Sequence, residues 1–210
     1  MPRHASRRGY GFLGLHWAGI GPASLHLQHV GSDHNVWLGN PLGMIGRLQG
    51  AAQEREAIAR AQGLRFTLDP LLAARAAIVL SAPPFYGEAE PARILAPVTL
   101  PSLHVTATGD VIRIPGYYSG AEDRVAVFEA TGSARKALAV FDGGSHSMFT
   151  DRAGTGGVEL NPQVKAATQA LSLAFLHHVF GQGDAGALAL WAERHRTILA
   201  KFVAMKGASA

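Results

Sequence analysis

The segment Val140-Phe141-Asp142-Gly143-Gly144-Ser145-His146-Ser147-Met148-Phe149 passes from an apolar run through two glycines to a histidine. Upstream, Leu103-His104-Val105-Thr106-Ala107-Thr108-Gly109-Asp110 is a second β-rich run, and it ends in an acid. An imidazole beside a carboxylate is the pair with which hydrolases take a proton from a weak nucleophile. The carboxylate fixes the ring tautomer and stabilises its charged form. For the two to meet, both must sit on loops at one edge of a sheet, where strand ends converge. Gly109 before Asp110 and Gly143-Gly144 before His146 permit the sharp turns this needs. Alone, Asp110 reads as a turn aspartate and His146 as a histidine capping a loop. Taken together, in the order acid then histidine and one strand–helix unit apart, they favour a functional pair, with Asp110 the acid and His146 the base.

The elements that would carry this pair alternate between strand and helix. Asn35 to Leu38 is a short strand candidate. Leu42 to Gln62 reads as a helix with Ile45, Leu48, Ala52 and Ala59 on one side and Gly63 as its stop. Ala76 to Leu80 is a continuous apolar run, as expected of a strand covered on both faces, and Ser81-Ala82-Pro83-Pro84-Phe85 breaks it. Ser102 to Ala107 is the next strand, Ala121 to Thr131 a short helix closed by Gly132, and Leu138 to Phe141 another strand. Two long C-terminal helices are expected. One presents Leu171, Phe175, Leu176 and Val179; the other presents Leu188, Trp191, Ile198, Leu199 and Phe202. Such alternation implies parallel strands joined by crossover helices, an α/β class with a sheet of about four or five strands. Gly154 to Gly157 reads as a surface loop.

Composition limits the functions open to the chain. With 210 residues it is one domain by default, and 48% apolar residues suffice for a sizeable core. The net charge of +4 is modest and the arginines are scattered, which argues against nucleic-acid binding. The absence of cysteine removes disulfides, thiol nucleophiles and thiolate metal sites. No apolar run reaches the roughly 20 residues of a membrane span. Arg7-Arg8 vaguely resembles a twin-arginine export signal, so both cytoplasmic and exported locations stay open; residues 1–34 otherwise read as an irregular N-terminal segment before a domain over 35–210. His16, His26, His29 and His34 share that segment, but their spacing puts them on no single face, and no metal site is assigned.

From Ala76 to Phe202 the chain resembles the C-terminal part of bacterial α/β-hydrolases of the dienelactone hydrolase, chlorophyllase and polyester hydrolase type. The resemblance rests on Ala76 to Phe85, on Leu103 to Asp110 and on Gly143 to Phe149 as a set. It implies a partial α/β-hydrolase fold and carboxylic-ester hydrolysis through an acyl-enzyme, without a cofactor, on a small-molecule or polymeric ester. In it Asp110 takes the place of the triad acid and His146 that of the base. The family nucleophile lies in G-x-S-x-G, a tight strand-to-helix turn. Here the corresponding stretch is Gly39-Asn40-Pro41-Leu42-Gly43, with Pro41 at the nucleophile-elbow position. Proline has no hydroxyl and its fixed φ disfavours the elbow conformation. The backbone N–H of Leu42 remains as an oxyanion donor by position. The family also has about four strands and a helix before the elbow, so the resemblance makes this chain the C-terminal portion of such a fold, its sheet lacking the family's antiparallel edge. An incomplete sheet favours self-association.

Other serines compete weakly for the attacking role. Ser32 lies near the elbow but lacks the glycine and helix that follow a nucleophile. Ser145 and Ser147 share the histidine's own loop, and Ser81 reads as a turn residue. Three functions therefore stay open: an ester hydrolase with an unconventional nucleophile, an inactive hydrolase relative, and a ligand- or partner-binding module that reuses the cleft.

Overall fold

The computed structural model describes residues 11–19, 43, 46, 75–83, 90–115, 117–149, 160–184 and 186–205. In chain order the elements are α1 (Gly11–Gly19), β1 (Ala77–Leu80), α2 (Ala92–Leu95), β2 (Ser102–Ala107), β3 (Ile112–Ile114), β4 (Tyr117–Ser119), α3 (Ala121–Ala130), β5 (Lys136–Phe141), a 3-10 turn (His146–Phe149), α4 (Leu160–Val179), α5 (Ala187–Arg194), a second 3-10 turn (Arg196–Ile198) and β6 (Leu199–Val203). The class is α/β. Four strands form one sheet in the order β1-β2-β5-β6, with β1, β2 and β5 parallel and β6 antiparallel. The expected strand from Asn35 and the loop at 154–157 lie outside the described residues; of the helix expected from Leu42 to Gln62, Gly43 and Gly46 are described and both are helical.

The middle of the sheet is dictated by burial. All six residues of β2 are buried, and so are all of β5 after Lys136. One face, through Leu103, Val105, Ala107, Ala137, Ala139 and Phe141, packs on Leu171 and Phe175 of α4 and on Trp191 of α5. On the other face Leu138 and Val140 meet Phe128 of α3. Lys136 ends α3: its Nζ donates to the carbonyls of Phe128, Glu129 and Thr131 at 2.7, 3.0 and 2.6 Å, three of the orphan acceptors a helix C-terminus leaves.

Three sequence expectations are corrected. The second C-terminal helix stops at Arg194, and Ile198, Leu199 and Phe202 do not continue its face. The His195 ring stacks on Trp191 at 4.8 Å and its Nδ1 meets the Trp191 carbonyl at 2.8 Å, which closes the helix. Leu199–Val203, apolar or aromatic apart from Lys201, instead pair antiparallel with the open edge of β5 (Leu138 with Val203, Ala139 with Phe202). The N-terminal segment is not wholly irregular either. Gly11–Gly19 is helical, with Leu13 and Trp17 one turn apart on one face; Leu13 is buried, and Trp17 Nε1 donates to Ser172 Oγ of α4 at 3.1 Å. Third, the hairpin β3–β4 and the short α2 were not anticipated.

Candidate functional site

Parallel strands in register end together. Leu80 pairs with Val105 and Ala107 with Phe141, so the turns after β1, β2 and β5 open at one edge. They carry Ser81, Asp110 and His146. Two of these turns are laced to each other. Thr108 N donates to the Phe141 carbonyl at 2.9 Å, Gly109 N to the Gly143 carbonyl at 3.2 Å, and Gly143 N to Thr108 Oγ1 at 2.7 Å. Gly143 and Gly144 have φ of 73° and 80°, the left-handed region open to glycine. Gly109 is required for closeness: a Cβ there would overlap the Gly144 carbonyl oxygen.

This lacing sets the acid against the base. His146 Nδ1 lies 2.9 Å from Asp110 Oδ1. Asp110 is fully buried, whereas the His146 side chain is 42% exposed. Oδ2 of Asp110 accepts from the hydroxyls of Ser81 and Thr106, the latter at 2.8 Å. Arg124 Nη2 stands 3.5 Å from Oδ1. Burial alone pushes the carboxyl pKa up. Hydrogen bonds from His146, Ser81 and Thr106, with the Arg124 charge, outweigh that and hold it below its ordinary 3.8. The group is a carboxylate, so Nδ1 is the donor and Nε2 carries the lone pair. Nε2 is the atom able to take a proton, and among the described residues no hydrogen-bond partner meets it.

Ser81 is more than a turn residue. Its φ is 54°, which a residue with a Cβ adopts at a cost of roughly 1–2 kcal/mol, and it is 3% exposed. A strained serine at a strand end is how a nucleophile elbow looks. The contacts say otherwise. Ser81 Oγ lies 2.8 Å from Nδ1, the same nitrogen that Asp110 occupies, and its proton goes to Asp110. It shares the Nδ1–H and cannot be deprotonated by Nε2. Sequence reasoning passed over this role, and it passed over Thr106 and Arg124 altogether. Ser81 and Thr106 stood in the right places, a strand end and an inward position four residues before the acid. Arg124, on a helix, gave no signal. Pro41 and Leu42, named for the elbow and the oxyanion donor, lie outside the described residues, as does Ser32.

Among the described residues no group of three or more His, Asp or Glu side chains could hold a metal ion, and no helix is long and apolar enough to cross a membrane. No family model, no curated protein and no solved structure matches the chain.

Proposed function

We propose that the chain is a carboxylic-ester hydrolase in which Asp110 and His146 form the acid–base couple. The observation that carries this reading is a fully buried carboxylate bonded to Nδ1 of a half-exposed histidine at the carboxyl edge of parallel strands. Nε2 takes the proton of the attacking hydroxyl as its oxygen bonds to the ester carbonyl carbon. The imidazolium then gives that proton to the departing alkoxide. Asp110 stabilises the charged ring throughout and stays ionised. The reading requires a hydroxyl nucleophile at Nε2 to form the acyl-enzyme, which a water activated by the same imidazole then hydrolyses.

A second reading is favoured by Pro41 at the elbow position: a relative that kept the couple, lost the nucleophile, and binds a ligand or partner instead. Losing a triad nucleophile costs on the order of a millionfold in turnover. Two measurements separate them. Hydrolysis of p-nitrophenyl acetate and butyrate, abolished in His146→Ala, supports the hydrolase, as does stoichiometric fluorophosphonate labelling of one serine located by mass spectrometry. No turnover and no labelling, with esterase activity gained in Pro41→Ser, supports the second. A His146→Ala protein as active as the wild type sinks the first reading.

A further inference from the structure

Arg124 contributes its charge to Asp110, but its own burial is not accounted for by the roles above. It lies within α3, is 3% exposed, and turns inward to the sheet. Its Nη1 donates to Ser119 Oγ and, at 2.7 Å, to the Gly120 carbonyl. Its Nε and Nη2 are buried and make no hydrogen bond among the described residues, yet Nη2 stands 3.5 Å from Asp110 Oδ1. A guanidinium this deep is held at great cost unless an opposite charge faces it.

The candidates for that opposite charge are few. The gap beside Arg124, lined by Val79, Ser81, His104, Thr106 and Leu138, has a cavity volume of about 10 Å³. That is room for about one water, so a bound anion is not the counterion. On α3 itself, the Asp123 carboxylate is engaged by Ser119 Oγ at 2.7 Å and Gly120 N at 3.2 Å. β2 offers His104, bonded to Ser102 and kept uncharged by burial and by Lys136 nearby. The turn after β1 offers the Ser81 hydroxyl, and the turn after β5 offers His146. Among the described residues Asp110 is the one carboxylate within ion-pair distance of Arg124.

The geometry points to Arg124 as a positioning residue of the acid–base couple: it fixes Asp110 as a carboxylate whose charge is divided between the guanidinium and the imidazole. Arg124 is anchored on the β3–β4 hairpin through Ser119, so the hairpin after the acid serves to aim the charge that holds the acid. Its catalytic meaning rests on the ester-hydrolase reading. Its electrostatic content does not, and the two are tested apart.

The test is a cycle of Arg124→Gln, Asp110→Asn and the double variant, each unfolded in urea at pH 7. Arg124→Gln lowers the urea midpoint. In the Asp110→Asn background the same change lowers it far less or raises it, because a neutral amide needs no counter-charge. Equal losses in both backgrounds would mean that Arg124 only holds the hairpin, and would overturn the proposal. If Arg124→Gln does not fold, a folded double variant supports it and an unfolded one overturns it. Arg124→Lys, which keeps the charge and loses the fork, retains more of the midpoint in the Asp110 background than Arg124→Gln does. In ester hydrolysis Arg124→Gln moves the acid limb of kcat/KM to higher pH and lowers kcat more than it raises KM. A wild-type protein without hydrolysis would end the ester reading and leave the urea cycle to decide the role of Arg124.

Discussion

Replacing Gly109 by alanine tests whether the site is built by two turns in contact. A Cβ on Gly109 would overlap the Gly144 carbonyl oxygen and lie 3.2 Å from its carbon and 3.4 Å from the Gly143 carbon. All three are backbone atoms, so no side chain can swing away. The turns must part by about 1 Å, against the hydrogen bonds that lace them. Overpacking of this kind costs about 1–3 kcal/mol. In a chain of this length that is a fall in Tm of roughly 2–12 °C. The separation also lengthens the 2.9 Å contact between His146 and Asp110. A misplacement of about 1 Å in a catalytic group costs on the order of 100-fold in rate. Differential scanning calorimetry and p-nitrophenyl ester hydrolysis read the two effects. Gly19→Ala is the control, since a Cβ there meets nothing within 4 Å. A Gly109→Ala protein melting with the wild type, within about 1 °C, would refute the close approach on which the geometry depends.

Three further outcomes are expected. His104 is buried and its pKa is lowered from 6.5 to about 4, by burial first and Lys136 second. The unfolded chain therefore protonates first, and stability falls as pH drops from about 6.5 through about 4, by an amount on the order of 3 kcal/mol; His104→Gln should flatten the urea midpoint across that window. Asp110 has its folded pKa depressed, so its contribution is present above the ordinary 3.8 and is lost as pH falls through the folded value; Asp110→Asn should remove this second, more acidic decline in Tm. Ser81→Ala removes a donor to a buried carboxylate and should cost about 1.5–3 kcal/mol by urea unfolding. Ser81→Gly should recover about 1 kcal/mol of that, because glycine adopts φ of 54° freely; no difference between the two variants would remove the strain from the account.

The sequence was legible where local signals and tertiary demands agreed. Ser102–Ala107 is a strand at the expected bounds, and Asp110 and His146, chosen for their position after apolar runs, lie 2.9 Å apart. Where the two disagreed, the local signal misled. Leu188, Trp191, Ile198, Leu199 and Phe202 fit a helical face, but the unpaired edge of β5 recruits Leu199–Val203 as a strand, a demand that no local window contains. The supports of the acid were hidden for a similar reason. Thr106 sits in a strand and Arg124 in a helix, and each acquires its role from a partner 4 or 14 positions away (110 − 106 and 124 − 110). Hydroxyls and guanidinia are common, and only the fold shows which ones face a carboxylate.

The two faces of β2 show how the fold accommodates such a group. Leu103, Val105 and Ala107 point to the apolar side, while Ser102, His104 and Thr106 point to the other and are equally buried. A polar row in a buried strand weakens a sheet unless every member finds a partner. Here Ser102 meets His104 at 3.1 Å, the His104 ring stands edge-on to Phe128 at 5.4 Å, and Thr106 meets Asp110 at 2.8 Å. Apolar residues at all three positions would pack this face more simply. They would also leave Asp110 without Thr106 and Arg124 against a wall with no polar group beside the carboxylate. Ser102 and His104 satisfy each other, while the end of that polar row nearest the site, Thr106, is the part that serves the ionised acid. The half-exposed histidine bonded to it is the point at which the buried charge can act on a molecule outside.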